Sequence, residues 1–348
     1  MVKAFFPAIT ALCITVLLFS GCDQSDISAP VVFDAALDPS NVYEVGEPIR
    51  FNFTGNAENI TFFSGEVGHQ FRFKDRYEVP VEDVISARLV MNVLVQYSYI
   101  GAPGAALSLY KSNTYDGAVT GTDYQADSVY TRKILAEGLK DWKLIDTIPN
   151  AQFNNSPSRQ MYWAEKEFVI EPEEVTNLSF FIWFNPISRN LTLRKKIFMA
   201  GDIYVEMKDV PVQKYNFRTL DWKHFFMAVN PRVIDPYAVT TWSVYTGGFL
   251  YDFAQKSEIV FQGGCFAGNT GDVYECEIAA FTPPVSLNGV NPDTGFNIKN
   301  LMEHKTNYTY IYNQPGTYTV TFEATNASHL GMTRTHKDLE FTIKDKND

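Results

Sequence analysis

The chain carries 40 acidic side chains, so the first chemistry to consider is hydrolysis of a glycosidic bond by two facing carboxyl groups. Such a pair must stand about 5–5.5 Å or 6.5–9.5 Å apart, a spacing that no run of residues states by itself. Glu66, in Ser64-Gly65-Glu66-Val67-Gly68, is the most conspicuous acid, and it reads first as a turn carboxylate that accepts backbone hydrogen bonds. Glu171-Pro172-Glu173-Glu174 is a charge run and reads as a solvated loop. The pairs Asp123/Asp127 and Asp116/Glu206 could contribute to a structural Ca²⁺ site, which takes 6–8 oxygen ligands; no other metal or cofactor is expected. The five histidines (His69, His224, His304, His329 and His336) fall in no zinc-protease or zinc-finger spacing. Neither a Gly-x-Ser-x-Gly elbow nor a phosphate loop is present.

Sugar binding asks for less: one aromatic face and a few polar groups that fix orientation. Trp222, in the polar stretch Arg218 to His224, is the strongest candidate for an exposed platform. Trp242 and Tyr245 follow, with Tyr237 nearby. Tyr110 and Tyr115 lie in the Gly- and Asn-rich stretch 108–124, which could form a binding loop, and Trp163 is ambiguous. Trp142 and Trp183 stand in apolar strands and read as core. Cys265 and Cys276 flank a hairpin centred near Thr270-Gly271, which would set them opposite each other as a disulfide or as two reduced core thiols. Two cysteines without a nearby histidine make a poor metal site.

The elements that must position these residues are almost all strands. Ile49 to Phe53 alternates strictly; Ile60 to Phe63, His69 to Phe73 and Phe168 to Ile170 follow. Arg88 to Tyr99 is apolar on both faces and reads as a central strand. Leu178 to Phe184, Ile203 to Met207 and Tyr308 to Asn326 continue the pattern, the last split by a Pro315-Gly316 turn. Helical period is nearly absent, with one or two turns at Arg132 to Gly138. Regular short strands with Gly, Pro and Asn punctuation predict an all-β, multi-domain sandwich.

Composition agrees. Of the 348 residues, 45% are hydrophobic and 15% aromatic, a globular balance. The net charge of −11 disfavours binding to a phosphate backbone, so no nucleic-acid partner is expected. Met1 to Gly21 reads as a secretory leader: Lys3, an apolar run from Ala4 to Phe19, then small residues before Cys22. The run is short for a ~30 Å hydrocarbon core. Residues 22–30 form a tether. Three blocks follow, 31–85, 86–210 and 211–348, with the alternative that the first and last complete one split sandwich.

Leu18-Phe19-Ser20-Gly21-Cys22 resembles a bacterial lipobox, with Phe19 where leucine is usual. That resemblance implies acylation of Cys22 and a stable hold on a membrane by several acyl chains. The acidic Asp23-Gln24-Ser25-Asp26 resembles the surface-export signal of Bacteroidota lipoproteins. Residues 45–66 and 308–326 resemble the two halves of a PKD (polycystic kidney disease) domain, an immunoglobulin-like sandwich, although Phe-Phe-Ser-Gly-Glu-Val-Gly replaces its usual turn. Trp142 to Asp146 with the strands 178–184 and 201–207 resembles a galactose-binding-like jelly roll. Together these resemblances imply an outer-membrane, outward-facing lipoprotein of a glycan-utilisation system. Such a protein would bind carbohydrate beside a transporter without transforming it. A structural or adhesive protein and a glycan-active enzyme are the alternatives.

Overall fold

The computed structural model describes residues 30–96, 104–149, 158–185, 195–227, 248–250, 258–263, 266–267, 273–274, 277–328 and 331–346. The protein is an all-β, multi-domain sandwich. It divides into two compact units: the described residues up to Arg76 together with those from Pro292, and Tyr77–Asn291. The first unit is built from both ends of the chain.

In the first unit, β1 (Phe33–Leu37), β2 (Pro48–Gly55) and β18 (Asn307–Ile311) form one antiparallel sheet in the order β1-β2-β18. The second sheet runs β17 (Phe296–Lys299), β3 (Asn59–Phe63), β19 (Gly316–Ser328), β20 (Gly331–Ile343). Period-two alternation explains the pairing of faces: in β2, Ile49, Phe51 and Phe53 are buried while the residues between them are not. Phe322 of β19 meets Phe51, Phe53 and Phe62 with ring centroids 5.2, 5.0 and 5.1 Å away. Each such buried ring contributes roughly 1.5–3 kcal/mol by area. Phe71–Phe73, expected as strand, is a 3-10 turn instead. Phe71 packs edge-on against Phe63 and takes Lys74 over its other side, so its aromatic spacing reports packing and not a pleat.

At the β1–β2 connection, Asp38 accepts from Ser40 Oγ (2.6 Å), Asn52 Nδ2 (3.0 Å) and Ser40 N (3.0 Å). These bonds, Ser40 Oγ foremost, hold its carboxyl down to about 2. A depressed carboxylate favours the folded state fully above about pH 4 and loses that effect as pH falls through 2. Carbon-detected NMR should place the Asp38 midpoint near 2, and Asn52→Ala should raise it.

In the second unit, one sheet runs β12 (Gly248–Leu250), β13 (Ile259–Gly263), β9 (Lys195–Met207), β4 (Val84–Gln96), β7 (Gln160–Ile170), with β10 (Gln213–Asn216) also on β9. The other runs β11 (Lys223–Phe226), β16 (Ile278–Phe281), β8 (Ser179–Phe184), β5 (Ala105–Ser112), β6 (Lys143–Pro149). β4 is interior, between β9 and β7. Leu89, Met91 and Val93 of β4 and Ile197 and Met199 of β9 share one core with Phe180, Ile182 and Phe184 of β8. A short hairpin, β14 (Phe266–Ala267) with β15 (Val273–Tyr274), pairs Phe266 with Tyr274. That is one residue away from the register expected for a turn at Thr270-Gly271. Cys265 and Cys276 themselves lie outside the described residues.

The helix among the described residues spans Tyr124–Ala136, longer than expected. Asp123 caps it, accepting from Ala126 N at 3.1 Å. Its buried positions are Asp127 and Thr131, polar residues on the inward stripe, so the apolar period that marks a helix is broken.

Candidate functional site

The site is built on the outer face of the β11-β16-β8-β5-β6 sheet. In Ser179-Phe180-Phe181-Ile182-Trp183-Phe184, residues 180, 182 and 184 enter the inter-sheet core, which leaves 181 and 183 on the other side. Phe181 stacks on Phe281 of β16 (4.3 Å, 12°), and Trp142 sets its edge against both (5.5 and 5.7 Å). The helix and residues 115–119 cover this second apolar cluster with Tyr115, Val119, Tyr130 and Ile134. Asp127 anchors the cover, accepting from Thr120 N and Gly121 N at 2.9 Å each.

Trp183 remains partly exposed on that face. Its neighbours across the sheet are Ala279 of β16 and Ser108 of β5, both small, so neither overtops the indole. The indole Nε1 donates to Glu277 Oε1 at 2.8 Å, which fixes its orientation. Glu277 O accepts from Met227 N (2.8 Å), and Met227 O accepts from Nη2 of Arg132, an exposed helix residue, at 2.6 Å. The indole and the Glu277 carboxylate thus touch, while the Arg132 guanidinium bonds the chain just past edge strand β11. Tyr110, one row along, lies parallel to Phe181 (5.6 Å, 20°) and is half-buried. Chemically, the partly exposed indole offers apolar surface for sugar C–H groups, with the Glu277 carboxylate beside it as an acceptor for hydroxyls.

Of the residues singled out from sequence, Tyr110 belongs to this face. Trp222 does not: it is buried, and its Nε1 donates to Phe217 O at 2.9 Å. The cause is Asp221, whose φ of 50° lies in the left-handed region that Asp tolerates. It turns its own exposed carboxylate outward to Lys223 and sends the indole inward against Phe217. Trp163 is buried in the inter-sheet core, edge-on to Phe168. Tyr115 is buried too; its hydroxyl accepts from Val119 N at 2.7 Å, and burial pushes the phenol up. Tyr237, Trp242, Tyr245 and Cys22 lie outside the described residues.

Glu66 lies in the turn after β3, but the bonds its carboxylate accepts come from hydroxyls, Ser64 Oγ (2.9 Å) and Tyr310 OH (2.7 Å), and not from the backbone donors expected. Burial, followed by this bond to a carboxylate, pushes Tyr310 up to about 12. Glu174 is not in a solvated loop; it is buried and paired with Lys111. Asp123 and Asp127 are engaged by the backbone as described, Asp116 accepts from Ala118 N, and Glu206 accepts from Ser86 Oγ and Arg88. Among the described residues, no group of three or more His, Cys, Asp or Glu is placed to hold a metal ion. Trp183, expected in the core, packs against the second apolar cluster and keeps part of its surface exposed. Apolar residues on both faces of β8 demand a cover on each, and among the described residues the helix and residues 115–119 supply it on the outer face.

Residues 21–131 match the family described as Domain of unknown function (DUF5017), about a third of the chain. The matched stretch includes Tyr110 and stops short of Arg132, Trp183 and Glu277. No curated protein and no solved structure matches the chain.

Proposed function

We propose that the protein is a surface lipoprotein that binds carbohydrate without transforming it, in support of nutrient uptake, and that the Trp183 face is its binding surface. The observation that carries this reading is the partly exposed indole held by Glu277 and flanked by small residues. Tyr110 supplies the second ring. The leader and Cys22 supply the address: acyl chains on that thiol anchor the chain in the outer membrane, facing outward beside a transporter. No helix among the described residues is long and apolar enough to cross a membrane, and an anchored binder requires none. The PKD-like and galactose-binding-like readings of the two units accord with their sandwich architecture and assign the glycan to the second.

The test is affinity electrophoresis of residues 23–348 through gels containing a panel of plant and host polysaccharides. At least one should retard the protein. Trp183→Ala should weaken that retention about tenfold, the equivalent of ~1.4 kcal/mol, while Tyr110→Ala gives a smaller loss. Retardation indifferent to Trp183 would remove the site assignment. Released oligosaccharide products would replace binding by catalysis. No retardation by any glycan, with capture of a protein partner instead, would favour the adhesive reading.

A further inference from the structure

The two ends of the first unit differ. The chain enters at one of them: Val32 N donates to Asn56 Oδ1 (2.7 Å), Asn56 N to Val32 O (2.8 Å), and Asn56 Nδ2 to Pro30 O (3.2 Å). Gly55 permits this approach. Its φ is +118°, and a Cβ there would fall 2.0 Å from Val32 O. The same end carries the segment from Lys299 to Thr306 and the tip of the β19–β20 hairpin, since Glu58 N bonds Asn326 Oδ1 and Ala327 N bonds Glu58 Oε2. The chain departs from the opposite end, where β3 finishes at Phe63 and β17 begins at Phe296.

The entry end is apolar at its surface. Leu301 and Met302 are 66% and 91% exposed, and Val32 and Met332 are also exposed. Leu301 also lines a groove of about 310 Å³, whose walls include Phe33, Phe53 and Ile60 and the carboxylates of Glu58 and Glu303. Lys299 and Lys305 border it, each Nζ donating to a backbone carbonyl (Ala57 O and Ile298 O, both 2.7 Å). Adjacent exposed Leu and Met beside lysines are what an interfacial segment presents to lipid: apolar tips for the acyl boundary and cations at headgroup depth.

Distance identifies the occupant. Cys22 stands eight residues before Pro30, and even a fully extended chain spans at most about 28 Å over that length. We infer that the entry end of the first unit is a lipid-contact face, with Leu301 and Met302 seated at the acyl–headgroup boundary. The inference rests on acylation of Cys22, as proposed above.

The test replaces that anchor, so that the two ideas fail separately. Residues 23–348 with an N-terminal hexahistidine tag are held on phosphatidylethanolamine–phosphatidylglycerol vesicles that contain a nickel-chelating lipid and a diazirine-bearing phospholipid. After illumination, mass spectrometry should find lipid adducts concentrated on residues 299–306. Leu301→Asp with Met302→Asp should reduce them about fivefold; both side chains are exposed, so folding is preserved. Moving the tag to the carboxyl terminus, beyond Ile343 at the far end, should also abolish them. Adducts spread evenly along the chain, or unchanged in the double variant, would overturn the lipid-contact face. Intact mass of the native protein extracted from cells reports on Cys22 alone, and an unacylated Cys22 would remove the anchor whatever the vesicles show.

Discussion

Glu174→Ala should destabilise the second unit by about 3–5 kcal/mol, the usual cost of stripping one partner from a buried ion pair. Lys111 lies on the inward side of β5, where its neighbours Leu107 and Leu109 belong to the core, and it is 4% exposed. Its Nζ donates to Glu174 Oε2 and to Val169 O (2.8 Å), while Glu174 Oε2 also accepts from Glu171 N (2.8 Å). The carboxylate therefore closes the 3-10 turn Pro172–Glu174 and neutralises an ammonium with little access to water. Alanine leaves that ammonium buried and the turn uncapped. Calorimetry should show the transition of the second unit falling by about 10 °C, with little sensitivity to salt because the pair is not screened by solvent. Lys111→Met combined with Glu174→Leu should restore most of the loss, since two apolar groups strand nothing. A fall below about 1 kcal/mol in the single variant would mean that water reaches the pair.

Phe322→Ala should cost a similar ~3–5 kcal/mol, but in the other unit. Phe322 is fully buried, and its ring bridges the two sheets through Phe51, Phe53 and Phe62. Because β2 and β3 come from one end of the chain and β17 to β20 from the other, the loss should spread to both. Hydrogen exchange should rise in residues 33–63 as well as 307–343, while residues 84–96 and 179–184 keep their protection. Limited proteolysis should then leave a resistant fragment bounded near Tyr77 and Asn291. Simultaneous melting of both units would show that they unfold as one body.

Strands with one wet and one dry face were legible because alternation is a local property. Pro48 to Gly55 and Gly316 to Phe322 declare both their period and their buried side. The resemblance of residues 45–66 and 308–326 to two halves of one fold pointed toward a split unit. The crossing at Arg76–Tyr77 has no Gly- or Ser-rich spacer to mark it, and the Asn-, Gly- and Pro-bearing stretch around Asn291–Pro292 resembles the turns that punctuate the rest of the chain. The helix was hidden by Asp127 and Thr131, whose burial is satisfied by hydrogen bonds that only the folded chain supplies. Trp222 was misread for the same reason: it has polar neighbours in sequence and apolar ones in space. What stands above a sheet face is decided by distant segments, and no window of residues contains it.

The pairing of β2 with β18 joins Asn52 to Asn307, about 250 residues later. At 5–20 residues per second, a ribosome takes on the order of 13–50 s to make the interval. Throughout that time β2 lacks its partner on one side and β3 on both, the arrangement most prone to mispairing with another nascent copy. Closure of the first unit therefore waits for the last strands of the chain, whatever the rest of the polypeptide has already folded.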